Sequence, residues 1–115
     1  MINVIKNIGA YLNKFHECKN EELPLNFDYE NNVGVYFELN NKIDSGYKNI
    51  YLLNIHFISS KKNKLKLLEL LETYEKNLSK NVIGNYRITP RDPKILDAKD
   101  DEYEHFILNL YINAY

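Results

Sequence analysis

The first apolar positions of the chain repeat every three or four residues, which is the spacing of one face of an α-helix. They are Val4, Ile8, Tyr11 and Phe15. This pattern predicts a first helix from about residue 3 to about residue 18. We expect the helix to stop before Pro24, because proline cannot continue a helix.

Two segments then alternate between apolar and polar positions, as β-strands do. The first covers residues 33–39, and a turn-rich loop over 40–46 follows it. The second covers 48–59, where the odd positions 51–57 are uniformly apolar and the even positions are half apolar. These even positions are Ile50, Leu52, Asn54, His56 and Ile58. The second strand is therefore expected to meet the core on one side and to be partly covered on the other.

A second helix and a second pair of strands complete the pattern. The helix begins after Ser59 and Ser60, either of which suits an N-cap, and it ends between residues 79 and 84. Its apolar stripe consists of Leu67, Leu71, Tyr74 and Leu78. A short strand over 86–89 is halted by two prolines, a charged loop covers 91–102, and a final strand covers 103–114.

The order helix, strand, strand, helix, strand, strand predicts an α+β fold. We expect one domain over residues 1–115, with an antiparallel sheet of about four strands and two amphipathic helices packed on one face. The other face of the sheet is then partly apolar through Ile50, Leu52, Ile58, Ile107 and Tyr111. An apolar face on a monomer favours association, so a partner is expected to cover it.

Composition narrows the classes of function. Lys and Arg number 15 against 16 Asp and Glu, for a formal net charge of -1, so neutralising nucleic-acid phosphates is not expected to be the main activity. The single cysteine, Cys18, forms no internal disulfide and suits a reducing compartment. Lys6 and Asn7 interrupt the apolar N-terminus, and no apolar run is long enough to span a membrane. The cytoplasm is the expected location.

The residues that could carry catalysis or hold a metal are few. His16 and Cys18, two apart near a helix end, would point away from each other and make a poor zinc pair. His56 and His105 lie within strands on the half-polar face and could be cross-strand neighbours, either as structural imidazoles or as a ligand pair. A catalytic base there would need Glu38 or Glu104 within reach. Because the sequence contains no phosphate-binding loop, nucleophile elbow or zinc-protease motif, we expect no enzyme activity, cofactor, metal or small-molecule substrate.

Two charged clusters could meet a partner. Lys61, Lys62, Lys64 and Lys66 form a basic cluster at the start of the second helix, and Asp97, Asp100, Asp101 and Glu102 form an acidic loop. Positive charge opposes the dipole at a helix N-terminus, so the lysines are either solvated or matched by an anionic partner. That partner would be a nucleic acid or the acidic loop of a neighbouring copy.

The layout of the whole chain resembles a family of phage proteins. The N-terminal helix, the connector Leu23-Pro24-Leu25, the strand from Ile50 to Phe57 and the leucine-rich helix follow in the same order. The closest local likeness runs from Pro93 to Phe106 and into the final strand. In this layout the chain is similar to the tail terminator and "minor capsid" proteins of tailed phages and prophages.

The resemblance implies a structural role. Such proteins assemble, typically as hexameric rings, on the end of the finished tail tube, stop its growth and form the surface that docks the head. The implied partners are further copies of the chain, tail-tube proteins and head-connector proteins, with DNA passing through the lumen without specific binding. Assembly would take place in the bacterial cytoplasm and leave the protein in the virion.

The contact surfaces of such a ring are expected at three places: the basic cluster, the acidic loop and the apolar positions Ile50, Leu52, Ile107 and Tyr111. Different patches that meet head to tail can close a ring. The alternative is a small prophage-encoded monomer that inhibits or regulates a host enzyme. Self-association distinguishes the two hypotheses.

Overall fold

The computed structural model describes residues 2–44, 49–78 and 82–114, which form a sheet with two helices on one face. In chain order the elements are α1 (Ile2–Leu12), β1 (Lys19–Asn20), β2 (Gly34–Asp44), β3 (Asn49–Ser60), a 3₁₀ turn (Lys61–Asn63), α2 (Lys64–Leu78), β4 (Val82–Ile83), β5 (Tyr86–Asp97) and β6 (Tyr103–Ala114). The sheet order is β1-β2-β3-β6-β5-β4, and every pairing is antiparallel except that of β1 with β2.

The predicted α+β class is confirmed, and the strand count is corrected. Four long strands form the centre of the sheet, as expected, but the two-residue strands β1 and β4 extend it at its two edges. The order therefore differs from the predicted one in detail, since a strand follows each helix before the expected pairs begin. Two-residue pairings leave no periodic signal in a sequence, because alternation needs several residues to be visible.

The first helix is shorter than predicted because Asn13 ends it. The helix stops at Leu12, although the apolar spacing continues to Phe15. The Asn13 side-chain amide donates to the carbonyl oxygens of Gly9 at 2.7 Å and Cys18 at 3.0 Å, and its oxygen accepts from the Cys18 N–H at 2.8 Å. The Asn13 N–H still donates to the Gly9 carbonyl oxygen at 3.0 Å, so the side chain adds to the last helical bond and holds the chain back at Cys18. His16 and Cys18 therefore lie beyond the helix and not on its last turn.

Strand β2 is longer than predicted. It runs from Gly34 to Asp44 and so takes in most of the segment expected to be a loop; residues 45 and 46 lie outside the described residues. The register with β3 shifts between Asn40 and Lys42, which is a β-bulge. Pairing with β3 holds this polar segment extended, and the local sequence carries no apolar alternation to reveal it.

Strand β5 continues through both prolines that were expected to end it. It pairs with β6 from Tyr86 to Pro90 and again from Ile95 to Asp97, and the register shifts between the two parts. Proline is compatible with a bulge because the ladder loses no hydrogen bond there. The predicted charged loop over 91–102 therefore shrinks to residues 98–102.

One hydrophobic core lies between the helices and the sheet. Its helical side chains include Ile8 and Leu12 of α1 and Leu67, Leu71, Tyr74 and Leu78 of α2, all at most 6% exposed. Alternate residues of the four long strands pack against these helical side chains from the sheet. Among the described residues, none of the helices is long and apolar enough to cross a membrane.

Candidate functional site

The face of the sheet that lies opposite the helices carries most of the residues singled out in the sequence. We call it the open face. Alternation and register place the following side chains on it: Tyr36 and Glu38 of β2, Leu52, Asn54, His56 and Ile58 of β3, Leu96 of β5, and His105, Ile107, Asn109 and Tyr111 of β6. Asn54 lies opposite Asn109, so the middle of the face is polar.

Three titratable side chains form a continuous hydrogen-bonded chain across the open face. His56 Nε2 lies 2.6 Å from Glu38 Oε1, and His56 Nδ1 lies 2.9 Å from His105 Nε2. The groups come from β2, β3 and β6, so the chain links three adjacent strands. Sequence alternation placed both histidines on this face, and the structure selects Glu38 over Glu104 as the carboxylate partner of His56.

Burial holds both imidazoles toward their neutral forms. The Tyr36 ring stacks on His56 with centroids 4.3 Å apart and planes at 5°, and His56 is only 8% exposed. Desolvation lowers the pKa of His56, although Glu38 opposes the shift by favouring the charged ring. Desolvation also lowers the pKa of His105, as does the neighbouring His56, while Asp100 and Asp97 act in the opposite direction.

A basic side chain crosses the centre of the open face. Arg91 lies in the bulge of β5, and its Nη1 donates to Asn54 Oδ1 at 3.1 Å across the intervening strand β6. The guanidinium also lies 5.5 Å from the centroid of the Tyr111 ring, a cation–π distance. Asn109 donates to the carbonyl oxygen of Pro93 at 3.0 Å, which fixes the bulge from below.

The four predicted apolar contact residues share this face but do not form one continuous patch. Ile107 lies opposite both His56 and Leu96, whereas Tyr111 lies opposite Leu52 on the other side of the polar centre. Ile50 follows at the far end, opposite Asn113. All four are partly buried. Leu96 adds an exposed aliphatic side chain to this face. It is 43% exposed and was not singled out from the sequence.

The two charged clusters lie at the same end of one chain. Ser60, just before the basic cluster, pairs with Tyr103, just after the acidic loop. Lys62 forms an ion pair with Glu30 at 3.0 Å. The pKa of Asp100 is lowered mainly by hydrogen bonds from the N–H groups of Tyr103 and Glu102, and Lys61 adds to the effect. The lysines are exposed, and a contact between them and a second copy stays a prediction.

The remaining candidates, His16 and Cys18, do not come together as a site. Cys18 is 3% exposed, and burial raises the pKa of its thiol to about 12, so the thiolate needed for nucleophilic attack is not populated. His16 Nδ1 instead lies 2.9 Å from the carbonyl oxygen of Glu17. Within residues 2–44, 49–78 and 82–114, no three His, Cys, Asp or Glu side chains converge as metal ligands do.

Comparisons with known proteins add nothing to this geometry. No family model and no curated protein matches the chain. The open face, with its hydrogen-bonded chain, is therefore the basis of the proposed function.

Sequence reasoning missed Arg91, which was assigned to a solvated loop. It is one of only two arginines, and it stands between two prolines. A bulge on an edge strand can turn a residue back over the sheet, and proline pairs flanking a basic residue are compatible with such a bulge. The register that places Arg91 over Tyr111 is a tertiary property and leaves no trace in the local pattern.

Proposed function

We propose that this chain is a non-enzymatic structural protein of a tailed phage or prophage. In this proposal, copies of the chain form a ring at the end of the tail tube, stop its growth and join the tail to the head. Its partners are further copies, tail-tube proteins and head-connector proteins. Support comes from the resemblance of the whole-chain layout and from the α+β architecture that such a layout requires.

The observation that carries the proposal is the open face of the sheet. A sheet of four long strands has helices on one side only, and its other side carries Ile107, Leu52, Tyr111 and Leu96. The polar centre, in which Arg91 and Asn54 bond to each other, leaves few unsatisfied groups to desolvate. Such a face offers a partner two apolar groups, one on each side of a polar strip whose groups are already hydrogen-bonded.

The open face replaces the charged clusters as the principal contact in this proposal. A head-to-tail ring needs two different patches at different places on each copy. Since the basic cluster and the acidic loop lie together at one end, each copy carries one patch of mixed charge there and not two separate patches of opposite charge. We assign them a lesser role, at the border of the contact.

A light-scattering measurement behind size exclusion tests the proposal. A discrete mass of about 82 kDa, six times the 13.7 kDa chain, is expected for a hexameric ring. Leu96→Arg is expected to shift that mass to the monomer, because it places a charge in the apolar contact. Ile2→Arg is the matched control, since Ile2 is 70% exposed on α1, away from the open face, and its replacement should leave the mass unchanged.

The opposite outcome favours the second candidate. A 13.7 kDa monomer at every concentration, with purified tail tubes present or absent, contradicts the ring. That outcome favours a monomer that binds and regulates a host enzyme. Equal loss of assembly in Leu96→Arg and Ile2→Arg contradicts the open face as the contact.

A further inference from the structure

We propose that Glu38, His56 and His105 form a proton-operated latch on the open face. The latch joins three strands while the two imidazoles carry no more than one added proton, and it opens when they bind a second. The latch is a property of the single chain. Its consequence for assembly rests on the proposed function, because the same face is the proposed contact.

The donors and acceptors fix the neutral state of the latch. The ionised Glu38 carboxylate only accepts, so the His56 Nε2 must donate to it across 2.6 Å. A neutral imidazole has one donor and one acceptor nitrogen, so His56 Nδ1 accepts. His105 Nε2 therefore donates across the 2.9 Å contact, and His105 Nδ1 carries the remaining lone pair.

A first added proton preserves both hydrogen bonds. It binds at His105 Nδ1, and the resulting imidazolium still donates from Nε2 to His56. Transfer of the shared proton from His105 Nε2 to His56 Nδ1 gives the second arrangement, in which a charged His56 faces the Glu38 carboxylate and donates to a neutral His105. The two arrangements share one proton count, so the pair titrates as a unit.

A second proton has no place in the closed geometry. Both facing nitrogens would then carry hydrogen, and two donors at 2.9 Å cannot bond to each other. Two positive rings with centroids 5.1 Å apart would also repel each other in a half-buried environment. The rings must separate, and the bridge between β3 and β6 on the open face is lost.

Among the described residues, the groups around the latch do not provide another site for the second proton that would keep both hydrogen bonds intact. Those that act on the two imidazoles are Tyr36 and Glu38 on β2, Asp97 at the end of β5 and Asp100 in the loop after it. Three further groups adjoin these: Tyr103 on β6, Lys61 in the 3₁₀ turn and Tyr29 in the connector. The pKa of each of the three tyrosines is raised, so they stay neutral in acid. Asp97 and Asp100 favour a charge on His105, and they therefore support the first proton there.

Nitrogen-15 NMR of the imidazole rings tests the latch directly, in a His16→Gln background that removes the third histidine from the spectrum. At pH 8 we expect Nε2–H tautomers on both rings. On acidification we expect His56 and His105 to titrate together in two steps separated by more than one pH unit. Two independent single-step curves, each unaffected by replacement of the other ring, would overturn the proposal.

Two variants separate a proton latch from simple packing. His105→Gln keeps a donor toward His56 Nδ1 but cannot titrate, so His56 should show one step, at a higher pH than the second step of the pair. Glu38→Gln removes the carboxylate that favours the charged His56 ring, so the titration of His56 should move to lower pH. An unchanged His56 curve in both variants contradicts the latch.

Light scattering over the same pH range connects the latch to assembly. The hexameric ring of chains is expected to dissociate as the second proton binds to the imidazole pair. His105→Gln should abolish that dissociation. Coupled NMR titrations with no oligomer at any pH would uphold the latch and contradict the proposed function alone. An oligomer whose imidazoles titrate independently would contradict the latch alone.

Discussion

The Tyr74 hydroxyl joins the two helices inside the core. Tyr74 of α2 is fully buried, and its hydroxyl donates toward the carbonyl oxygens of Leu12 at 2.8 Å and His16 at 3.2 Å. These carbonyls lie at and beyond the end of α1, and the Leu12 carbonyl also accepts from the Phe15 N–H at 3.3 Å. Tyr74 thus adds buried hydrogen bonds between α2 and the residues at which the chain leaves α1.

Tyr74→Phe is expected to lower the free energy of unfolding by about 1 kcal/mol, the net contribution of a typical intramolecular hydrogen bond. Tyr11→Phe is the matched control, because its hydroxyl makes one long contact of 3.5 Å to the carbonyl oxygen of Asn77. That change should stay within about 0.5 kcal/mol of the wild type. Urea unfolding followed by circular dichroism measures both. Equal effects of the two substitutions would show that the Tyr74 hydroxyl is not a tie between the helices.

At the scale of elements, the β5 bulge determines what the open face presents. Residues 91–94 have no register partner in β6, and the segment places Arg91 over Tyr111 and within bonding distance of Asn54. Without the bulge, a regular β5 would leave the middle of β6 uncovered on that side. The bulge therefore divides the apolar positions of the open face into two groups.

Arg91→Ala is expected to destabilise the fold by about 1 kcal/mol, through loss of a half-buried hydrogen bond and a cation–π contact. Arg87→Ala, the only other arginine substitution that the chain allows, lies on the same strand at an exposed position and should change stability by less than about 0.5 kcal/mol. Urea titration compares the two. A larger loss for Arg87→Ala would contradict the assignment of Arg91 as the residue that fixes the bulge.

The sequence was most informative where a strand or helix carries its own periodic pattern. The final strand was predicted with the bounds that the structure has, because its apolar side runs unbroken from Phe106 to Ile112. The end of α1 was predicted six residues late, because apolar spacing continues past Asn13, whose side chain bonds to both backbone groups of Cys18. Propensity and spacing do not reveal such a side-chain bond to the backbone.

The candidate site was predictable only in part, for a related reason. Alternation along β3 and β6 assigns His56 and His105 to one face, but their contact depends on the register between strands that are 49 residues apart in sequence. The carboxylate partner depends on a second register, that of β2, in which Glu38 lies opposite Asn54 and reaches His56 diagonally. Two registers that the local pattern leaves open together determine the hydrogen-bonded chain.

At the scale of the whole molecule, the two depressed imidazole pKa values make folding stability depend on pH. The folded chain binds fewer protons than the unfolded chain where His56 and His105 titrate, so the free energy of unfolding rises with pH there. The contribution is fully present above the ordinary histidine pKa of 6.5, and it is lost as the pH falls through the lower folded-state values. Glu17, Asp28 and Asp100 also have lowered pKa values, and their contributions are lost in a separate, more acidic window.

Urea unfolding at a series of pH values from 8 to 5 should therefore show a falling midpoint below pH 6.5. His105→Gln should flatten that fall, because it removes one of the two titrating rings and relieves the other of a neighbouring charge. The range from pH 8 to 7.5 is the internal control, since both rings are neutral there and the two proteins should have parallel, level curves. A midpoint that rises on acidification would mean that Glu38 dominates over burial and that His56 is charged in the folded chain. The latch would then start from the one-proton state at neutral pH, and a single further proton would open it.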